Sequence, residues 1–229
     1  MDAASHARDD HVAVVTGGAR GIGLEIARAL LAAGDRVAIL GRDAAALKDA
    51  AAALDPSGRR VLAAVCDVRD PEAIGEAVGR TLRAYGRIDV LVANSGIAGP
   101  TAPLWETPPE RWRQAIETNL IGAALCARAV LPHMIARRSG SIVFVGSMTG
   151  KRPLWGRTSY AASKTALIGL VRTLAVEAGP YGVRVNLVSP GPVEGERIER
   201  VFAAQAAARG ITAERARAEM LDGTPLGRL

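Results

Sequence analysis

The chain has 229 residues, of which 49% are hydrophobic and only 3% are aromatic. This length suits one large α/β domain with an aliphatic, alanine-rich core. The net charge is +6, but the basic residues are scattered and are not interleaved with aromatic residues. A nucleic-acid-binding face would need such a run, so we expect no nucleic-acid partner.

The composition also argues against several other classes of protein. No apolar run approaches the roughly 20 residues of a membrane span, so we expect no membrane partner. Residues 1–10 are polar and have no apolar segment of the secretory kind, and we interpret them as a disordered tail of a cytoplasmic protein. Cys66 and Cys126 fall on a predicted strand and a predicted helix, which favours buried thiols over a disulfide. The three histidines have no ligand spacing, so no metal site is predicted.

The first predicted element is an apolar strand, Val12–Thr16, followed by a glycine-rich turn. Gly17, Gly21 and Gly23 have the spacing GxxxGxG, and an amphipathic helix follows them to Gly34. This arrangement predicts a dinucleotide-binding unit, because glycines let the backbone approach a pyrophosphate and the helix offers unpaired N–H groups. A tight turn that binds no ligand is the alternative.

The end of the second predicted strand, residues 37–40, indicates which cofactor to expect. An NAD-selective protein usually has an acidic residue at this strand tip, but here Gly41 is followed by Arg42. A guanidinium at this position would pair with a 2′-phosphate, and Arg20 could reach the same group. NADP(H) is therefore favoured over NAD(H). Asp43 is the counter-argument, and we interpret it as the N-cap of a helix over residues 44–54.

Strands and helices alternate along the rest of the chain, which predicts a doubly wound parallel sheet of the Rossmann type with helices on both faces. We expect a single domain over residues 11–229. Thr107 is expected to open a long helix with a capping box, and Pro132 is expected to kink that helix. Two further helices, separated by Gly210, are predicted in residues 194–222 as a lid over the substrate. The remaining predicted strands lie at 61–65, 88–93, 141–147 and 183–188, and the remaining helices at 71–85, 107–138 and 159–178.

The segment from Ser147 to Lys164 carries the strongest chemical signal. Ser147 falls where a strand ends, and Tyr160 and Lys164 lie one turn apart on the following helix, so the phenol and the ammonium face the same way. A cation beside a tyrosine favours the phenolate. A proton donor of this kind suits carbonyl reduction, because negative charge builds on the carbonyl oxygen. A surface pair without chemistry is the alternative.

Taken in order, these motifs resemble those of the short-chain dehydrogenase/reductase family over about residues 12–193. The resemblance implies an NADP(H)-dependent oxidoreductase that interconverts a ketone and a secondary alcohol of a small molecule. The residues that carry it are Thr16, Gly17, Gly18, Ala19, Arg20, Gly21, Ile22, Gly23, Cys66, Asp67, Val68, Asn94, Ser95, Gly96, Asn119, Ser147, Tyr160, Lys164, Pro190 and Gly191.

The resemblance also implies catalytic roles. Tyr160 would be the general acid in reduction and the general base in oxidation. Lys164 would promote the ionisation of Tyr160 and hold the nicotinamide ribose, and Ser147 would bind the substrate oxygen. Asn119 would hold a water that relays protons to Lys164, with a purely structural role in the long helix as the alternative.

A second group of positions would contact the cofactor. Asp67 would face the adenine, Asn94 would line the cofactor cleft, and Val193 would pack near the nicotinamide. The full set implied by the motifs and by the strand tip is Gly17, Arg20, Gly21, Ile22, Gly23, Arg42, Asp67, Val68, Asn94, Ser95, Gly96, Tyr160, Lys164, Pro190, Gly191 and Val193.

Three features depart from the family pattern. Ser95 replaces the usual alanine, and Gly195 stands where a threonine often binds the carboxamide. The family's last strand is not evident, which would leave the sixth strand at an exposed edge. A non-catalytic regulator or scaffold, an imine reductase and a dehydratase are the alternative functions. Because family members commonly pair through the helices near 110–135 and 158–178, we expect a homodimer or homotetramer.

Overall fold

The computed structural model describes residues 11–222, 224 and 226–229. The tail predicted for residues 1–10 lies outside this range. The strands are β1 Val12–Thr16, β2 Arg36–Gly41, β3 Val61–Val65, β4 Val90–Ala93, β5 Gly140–Val145 and β6 Val183–Val188. They form one sheet in the order β3-β2-β1-β4-β5-β6. The pairs β1–β2, β1–β4, β2–β3 and β4–β5 are parallel.

Helices alternate with these strands and flank the sheet. They are α1 Gly21–Ala32, α2 Ala44–Leu54, α3 Pro71–Tyr85, α4 Pro109–Ile116, α5 Gly122–Ala136, α6 Thr158–Ala178, α7 Glu196–Arg209 and α8 Ala213–Asp222. The predicted α/β fold of the Rossmann type is confirmed. The strand order reverses between β1 and β4, and ligands of such sheets bind where the strands end beside this reversal.

Burial along the strands follows their positions in the sheet. The central strand β1 is buried throughout, as expected for a parallel strand covered on both faces. At the sheet edge, β6 alternates between buried Val183 and Val185 and exposed Arg184 and Asn186. In the described part of residues 189–229 no strand follows β6, and α7 and α8 occupy this segment.

Helix α3 shows how local sequence fixes an element. The carboxylate of Asp70 accepts hydrogen bonds from the N–H groups of Glu72 and Ala73. Pro71 occupies the first turn, where its missing N–H costs nothing. Gly86 ends the helix in the left-handed conformation, with φ of 75°. These bounds match the predicted helix.

The start of the long helix differs from the sequence prediction. The N-cap residue is Pro108, with no side-chain cap. The hydroxyl of Thr107 instead donates to the carbonyl of Pro103, at 3.0 Å. The capping box expected at Thr107 is therefore wrong, because the preceding turn at Leu104–Glu106 uses that hydroxyl.

The same helical stretch departs from regular α-helix between α4 and α5. A π-helical turn, Glu117–Ile121, joins the two helices and contains the buried Asn119. Such turns are frequent at functional sites. The irregularity thus lies upstream of Pro132, which is inside α5.

The stretch Pro109–Ala136 also has the length and hydropathy of a candidate membrane span, with a mean hydropathy of 1.4 in its most apolar window. Within α5 this stretch buries Ala123, Cys126, Ala127 and Val130, and a core helix of a water-soluble protein has the same composition. The expected lack of a membrane partner stays a prediction.

The two cysteines are free and buried, as predicted. Burial raises the pKa of Cys66 to about 11 and that of Cys126 to about 12. Both thiols are therefore protonated at neutral pH. Among the described residues, no group of three or more His, Cys, Asp or Glu side chains could hold a metal ion.

The chain folds into two compact units, which we describe separately. The first unit contains residues 11–95, Ile121–Phe144 and Leu170–Asn186. The second unit contains Gly96–Leu120, Val145–Gly169 and Leu187–Leu229. The predicted domain bounds, 11–229, and the lid role of residues 194–222 stay predictions.

Two helical glycines of the first unit should respond in opposite ways to alanine. A Cβ built on Gly75 would meet no atom within 4 Å, whereas one on Gly122 would lie 2.8 Å from Cγ2 of Val68. We expect Gly75→Ala to raise the free energy of unfolding by about 0.4–1 kcal/mol, because it restricts the unfolded chain. We expect Gly122→Ala to lower it by about 1–3 kcal/mol through overpacking. Urea unfolding measures both, and equal effects would contradict the packing described here.

Candidate active site

In the first unit, the turn after β1 brings the backbone of the glycine motif to the end of the sheet. The N–H of Gly17 donates to the carbonyl of Leu40, at 2.7 Å. Gly17 and Gly21 have φ of 66° and 54°, which favours glycine. A Cβ on Gly23 would overlap the carbonyl oxygen of Gly17, whereas one on Gly21 would meet no atom within 4 Å. The turn is therefore closely packed at Gly23 and open at Gly21.

The amino terminus of α1 has the features of an anion site. Its N-cap is Arg20, whose side chain makes no capping hydrogen bond, and the first turn contains no acidic residue. Ile22 is half-buried in this first turn. The first N–H groups of a helix without a capping side chain are free to bind an anion. Together with the open backbone at Gly21, this terminus fits the pyrophosphate of a dinucleotide.

Asn94 and Ser95 hold this turn through a residue that the sequence analysis did not assign to the site. The hydroxyl of Thr16 accepts hydrogen bonds from the N–H groups of Asn94 and Ser95, at 3.0 and 2.9 Å. The side-chain amide of Asn94 donates to the carbonyls of Thr16 and Gly17, at 2.9 and 3.3 Å. Asn94 therefore fixes the start of the glycine turn.

The predicted adenosine-binding residues lie at the ends of β2 and β3. Arg42 is exposed directly after β2. Asp43 caps α2, as predicted, by accepting from the N–H of Ala46 at 3.0 Å. Asp67 pairs with Arg69 at 2.6 Å. This hydrogen bond lowers the pKa of Asp67 to about 2, and the charge of Arg42 contributes in the same direction.

The side chain of Val68 has a packing role. It is 6% exposed, and its Cγ2 is the atom closest to the position of a Cβ on Gly122. This contact is between Val68 and α5. A role of Val68 in cofactor binding stays a prediction.

In the second unit, Tyr160 and Lys164 lie one turn apart on α6, as predicted. The Lys164 Nζ lies 5.8 Å from the centre of the Tyr160 ring. Lys164 is only 4% exposed, and its Nζ donates to the carbonyl of Val145 at 2.7 Å. Burial and, to a smaller extent, the charge of Arg197 lower the pKa of Lys164 to about 8. The ammonium is thus charged at neutral pH but is easily deprotonated.

Ser147 follows β5 and lies at the start of a short turn that packs on α6. Its Oγ accepts from the N–H of Thr149, at 3.1 Å. The carbonyl of Gly150, at the end of the same turn, accepts from the hydroxyl of Thr165 at 2.9 Å. A Cβ on Gly150 would lie 2.8 Å from the carbonyl carbon of Lys164. The turn therefore fixes Ser147 against the part of α6 that carries Lys164.

The segment after β6 runs beside this turn. The N–H of Met148 donates to the carbonyl of Pro190, at 2.9 Å. Pro190 is half-buried, and Gly191 and Val193 are exposed. The structure thus places Pro190 next to the Ser147 turn, and the nicotinamide contacts expected for these residues stay predictions.

Asn119 connects the π-helical turn to the loop after β4. Its Oδ1 accepts from the N–H of Ile97 at 2.8 Å, and its Nδ2 donates to the carbonyl of Ile97 at 3.0 Å. Nδ2 also donates to the hydroxyl of Ser163, at 3.1 Å. A Cβ on Gly96 would lie 3.0 Å from Asn119 Oδ1 and 3.6 Å from Lys164 Nζ. Asn119 therefore has structural bonds close to Lys164, and its part in a proton relay stays a prediction.

Two arginines that the sequence analysis did not assign to the site also lie close to Tyr160. The Cζ atoms of Arg157 and Arg197 are 5.1 and 6.0 Å from the centre of its ring. Arg157 is 3% exposed and donates to the hydroxyl of Thr101 at 3.0 Å. Burial, with a smaller effect of Arg197, lowers its pKa. Three cations thus lie within 6.0 Å of the centre of the Tyr160 ring.

The sequence offered unequal signals for these additional residues. Arg157 directly precedes α6 and its carbonyl accepts from the N–H of Ala161, so it lies close to Tyr160 in sequence. Arg197 lies on α7, far along the chain, and only the tertiary fold brings it to the phenol. Ser163 lies inside the YAASK motif, and its hydroxyl links Asn119 to the carbonyl of Tyr160.

Comparison with known proteins agrees with this geometry. The family described as short chain dehydrogenase matches residues 11–206. The chain therefore belongs to the short-chain dehydrogenase family and is an oxidoreductase of that family. The resemblance inferred from its motifs is confirmed.

Similar proteins act on alcohols or ketones. The cis-4-hydroxycyclohexanecarboxylate dehydrogenase of Sinomonas cyclohexanicum is 40% identical over 220 residues, which are 96% of this chain and 84% of that protein. The crystal structure of an NAD⁺-bound xylitol dehydrogenase matches with a TM-score of 0.92 and 32% identity, over 96% of this chain and 86% of that one. A variant of actinorhodin polyketide ketoreductase with NADPH matches with a TM-score of 0.90 and 34% identity, over 96% and 84%. Because these structures contain different nicotinamide cofactors, the family alone does not decide which cofactor this chain prefers.

The buried Lys164 should make stability depend on pH. Its pKa is about 8 in the folded protein, against an ordinary value of 10.5, so the unfolded chain binds more protons between these values. Stability should therefore rise with pH across this window, because the cost of burying the charge is lost. In Lys164→Met this rise with pH should be absent. Across the window, the free energy of unfolding of the wild-type protein should therefore increase by on the order of 3 kcal/mol relative to that of the variant.

Urea unfolding from pH 7 to 11 measures this difference. Lys48→Met, which changes an exposed lysine on α2, controls for the loss of a lysine as such. A constant difference between the wild-type protein and Lys164→Met across the whole window would contradict the buried charge.

Proposed function

We propose that this protein is an NADP(H)-dependent oxidoreductase that interconverts a ketone and a secondary alcohol of a small molecule. Tyr160 is its general acid and base. The observation that carries the proposal is the position of the Tyr160 ring, with the Lys164 ammonium 5.8 Å from its centre and two guanidinium groups at similar distances.

The proposed acid–base step is the transfer of the Tyr160 hydroxyl proton to a carbonyl oxygen in reduction and its return in oxidation. Lys164 is held in place by the Val145 carbonyl. Ser147 follows the same strand, and its hydroxyl is the proposed hydrogen-bond donor to the substrate oxygen.

The redox equivalent comes from the nicotinamide cofactor, which when bound supplies a hydride, two electrons and one hydrogen, to the carbonyl carbon. The glycine turn and the amino terminus of α1 are the proposed site of its pyrophosphate. The positive ends of helices favour such anions. Lys164 is the proposed contact of the nicotinamide ribose.

The preference for NADP(H) rests on the end of β2. Arg42 is exposed there, and Arg20 is exposed in the glycine turn. The only carboxylate directly following this strand, Asp43, is used as the cap of α2. A guanidinium binds a 2′-phosphate with a charge-assisted hydrogen bond.

The substrate is proposed to be a small molecule with a ring or a short chain. One relative is named for cis-4-hydroxycyclohexanecarboxylate, an alcohol whose oxidation product is 4-oxocyclohexanecarboxylate. This ketone and its methyl ester are therefore suitable first substrates for assays with NADPH.

We also propose that two copies of the chain pair through α5 and α6. In the first unit, an apolar groove of about 260 Å³ lies between these helices. It is lined by Ala124, Ala127, Arg128, Leu131, Pro132, Ile135, Leu170 and Leu174. Burial of such a surface in a dimer would remove apolar area from water.

Replacing the phenol tests the proposed chemistry. Tyr160→Phe should lower kcat at least about 100-fold, because a positioned proton donor contributes a factor of this size or more. The Kd for NADPH should stay within about twofold of the wild-type value, since the ring remains. Tyr181→Phe, which changes an exposed tyrosine, should have no effect on either quantity. Wild-type turnover in Tyr160→Phe would show that Tyr160 is not the general acid and base.

Thermal unfolding with matched concentrations of NADPH and NADH tests the cofactor preference. NADPH at about 100 times its Kd should add about 2.7 kcal/mol to the stability of the folded state, and NADH should add less. In Arg42→Ala the Kd for NADPH should rise about tenfold or more, with that for NADH unchanged. Arg28→Ala removes an exposed arginine on α1 that pairs with Glu25, and it is the control. A larger shift with NADH in the wild-type protein would reject the preference.

Hydrodynamic mass tests the pairing. We expect the mass of two or four chains, and Leu174→Arg should shift it toward one chain by placing a charge in the groove. Val65→Glu, at an exposed position of β3, is the control and should leave the mass unchanged. A wild-type mass equal to one chain would refute the proposed pairing.

A further inference from the structure

The charges around Tyr160 are unbalanced. Within the second unit, Arg157, Lys164 and Arg197 lie 5.1, 5.8 and 6.0 Å from the centre of its ring. The described residues contribute no carboxylate that pairs with any of these three cations. A cluster of like charges without a counter-ion destabilises itself, more strongly where it is buried.

The two carboxylates nearest to Arg197 along the chain pair with other arginines. Glu196 lies 3.9 Å from Arg200, and Glu199 lies 3.5 Å from Arg217. On α8, Glu219 pairs with Arg209 and Arg215, at 2.7 and 3.2 Å. The ion pairs of α7 and α8 therefore use other arginines and leave Arg197 out.

Arg197 and Arg157 differ in their accessibility. Arg157 is 3% exposed, and its Nε has no hydrogen-bond partner among the described residues. Arg197 is exposed, and its hydrogen bond to the carbonyl of Gly96 is long, at 3.3 Å. A guanidinium has five N–H donors in a fork that matches an oxyanion. The exposed Arg197 thus has N–H donors available to a ligand, 6.0 Å from the centre of the Tyr160 ring.

We propose that the substrate carries an anionic group, a carboxylate, a sulfonate or a phosphate, which Arg197 binds while the ketone or alcohol lies at Tyr160. The inference rests on the proposed oxidoreductase function and adds the substrate class to it. Arg197 is a specificity-determining residue, and the buried Arg157 adds positive potential to the same site.

The distances restrict the size of this substrate. The guanidinium carbon of Arg197 lies 6.0 Å from the centre of the ring that carries the proposed proton donor. One molecule can therefore reach both residues if its anionic group and its reacting oxygen are a few bonds apart. A ring or a short chain with one charged group meets this requirement.

The lowered pKa of Lys164 is consistent with an anion at this position. Burial lowers it most, and the charge of Arg197 lowers it further. An anion on Arg197 would offset that repulsion and favour the charged ammonium. The positive potential of the site would also raise the local concentration of an anionic substrate.

Two other roles of Arg197 make different predictions. If Arg197 binds an anionic group of the cofactor, its removal should weaken NADPH binding. If it acts only on the proton of Tyr160, its removal should lower kcat and shift the pH–rate profile equally for charged and neutral substrates. An anion-binding role changes the KM of charged substrates alone, because it contributes uniform binding.

The test compares ketones that share a ring and differ in charge. They are 4-oxocyclohexanecarboxylate, its methyl ester, 4-oxocyclohexanesulfonate and 4-oxocyclohexyl phosphate. The variants are Arg197→Ala, Arg197→Lys and, as the matched control, Arg200→Ala, which removes another exposed arginine from α7. For each protein we would measure kcat and KM with NADPH, the Kd for NADPH, and the Kd of each ketone by calorimetry.

We expect at least one anion to have a KM about tenfold or more below that of the ester in the wild-type protein, as one charge-assisted pair provides. Arg197→Ala should abolish this ratio while the kcat for the anion and the Kd for NADPH stay within about twofold. Arg197→Lys should keep part of the KM difference between ester and anion, and Arg200→Ala should keep all of it. The anion with the lowest KM shows which of the three oxyanions Arg197 prefers.

Other outcomes overturn the inference. Equal KM values for the ester and every anion in the wild-type protein would do so, as would equal losses for ester and anion in Arg197→Ala. A weaker Kd for NADPH in Arg197→Ala would assign the residue to the cofactor. If the anions bind to the wild-type protein but not to Arg197→Ala, and no ketone is turned over, Arg197 is an anion site but the proposed reaction is wrong.

Discussion

The buried ammonium of Lys164 is the constraint on which the candidate active site depends. A lysine that is 4% exposed must have its donors satisfied, and the Val145 carbonyl at the end of β5 provides one acceptor. This bond ties α6 to the strand that precedes Ser147. It also holds the ammonium within 5.8 Å of the centre of the Tyr160 ring. The chain stabilises this arrangement without a carboxylate partner from the described residues, so the positive potential remains available to a ligand.

In the first unit, two side chains hold the glycine turn in place. One hydroxyl, that of Thr16, accepts from two consecutive N–H groups, and the side chain of Asn94 closes the same junction from the other strand. These bonds hold the ends of β1 and β4 together where the strand order reverses. The backbone of the turn and the uncapped amino terminus of α1 are then left open. The proposed site for the cofactor pyrophosphate thus consists of backbone groups that have no partner within the turn.

The sequence predicted the elements well because most of their signals are local. The bounds of α2, α3, β1, β3 and β6 follow from hydrophobic periodicity, caps and glycines. One prediction failed because a side chain has a competing partner: the hydroxyl of Thr107 donates to the carbonyl of Pro103 instead of capping the helix. The π-helical turn at Asn119 was not predicted, because it has no marker in the sequence. Tyr160 and Lys164 were found because they share a helix face. Arg197 and Thr16 were missed as site residues, because only long-range contacts bring them to Tyr160 and Asn94.

The transfer of deuterium from cofactor to product reports the proposed reaction at the level of a single bond. The protein would be incubated with NADPH deuterated at the transferable position and with the matched cyclohexanone derivatives, and the alcohol would be analysed by mass spectrometry and NMR. We expect one deuterium at the carbinol carbon of the product and a slower rate with the labelled cofactor when hydride transfer limits turnover. Bound cofactor that stays unoxidised with every ketone, or an alcohol without deuterium at that carbon, would contradict it.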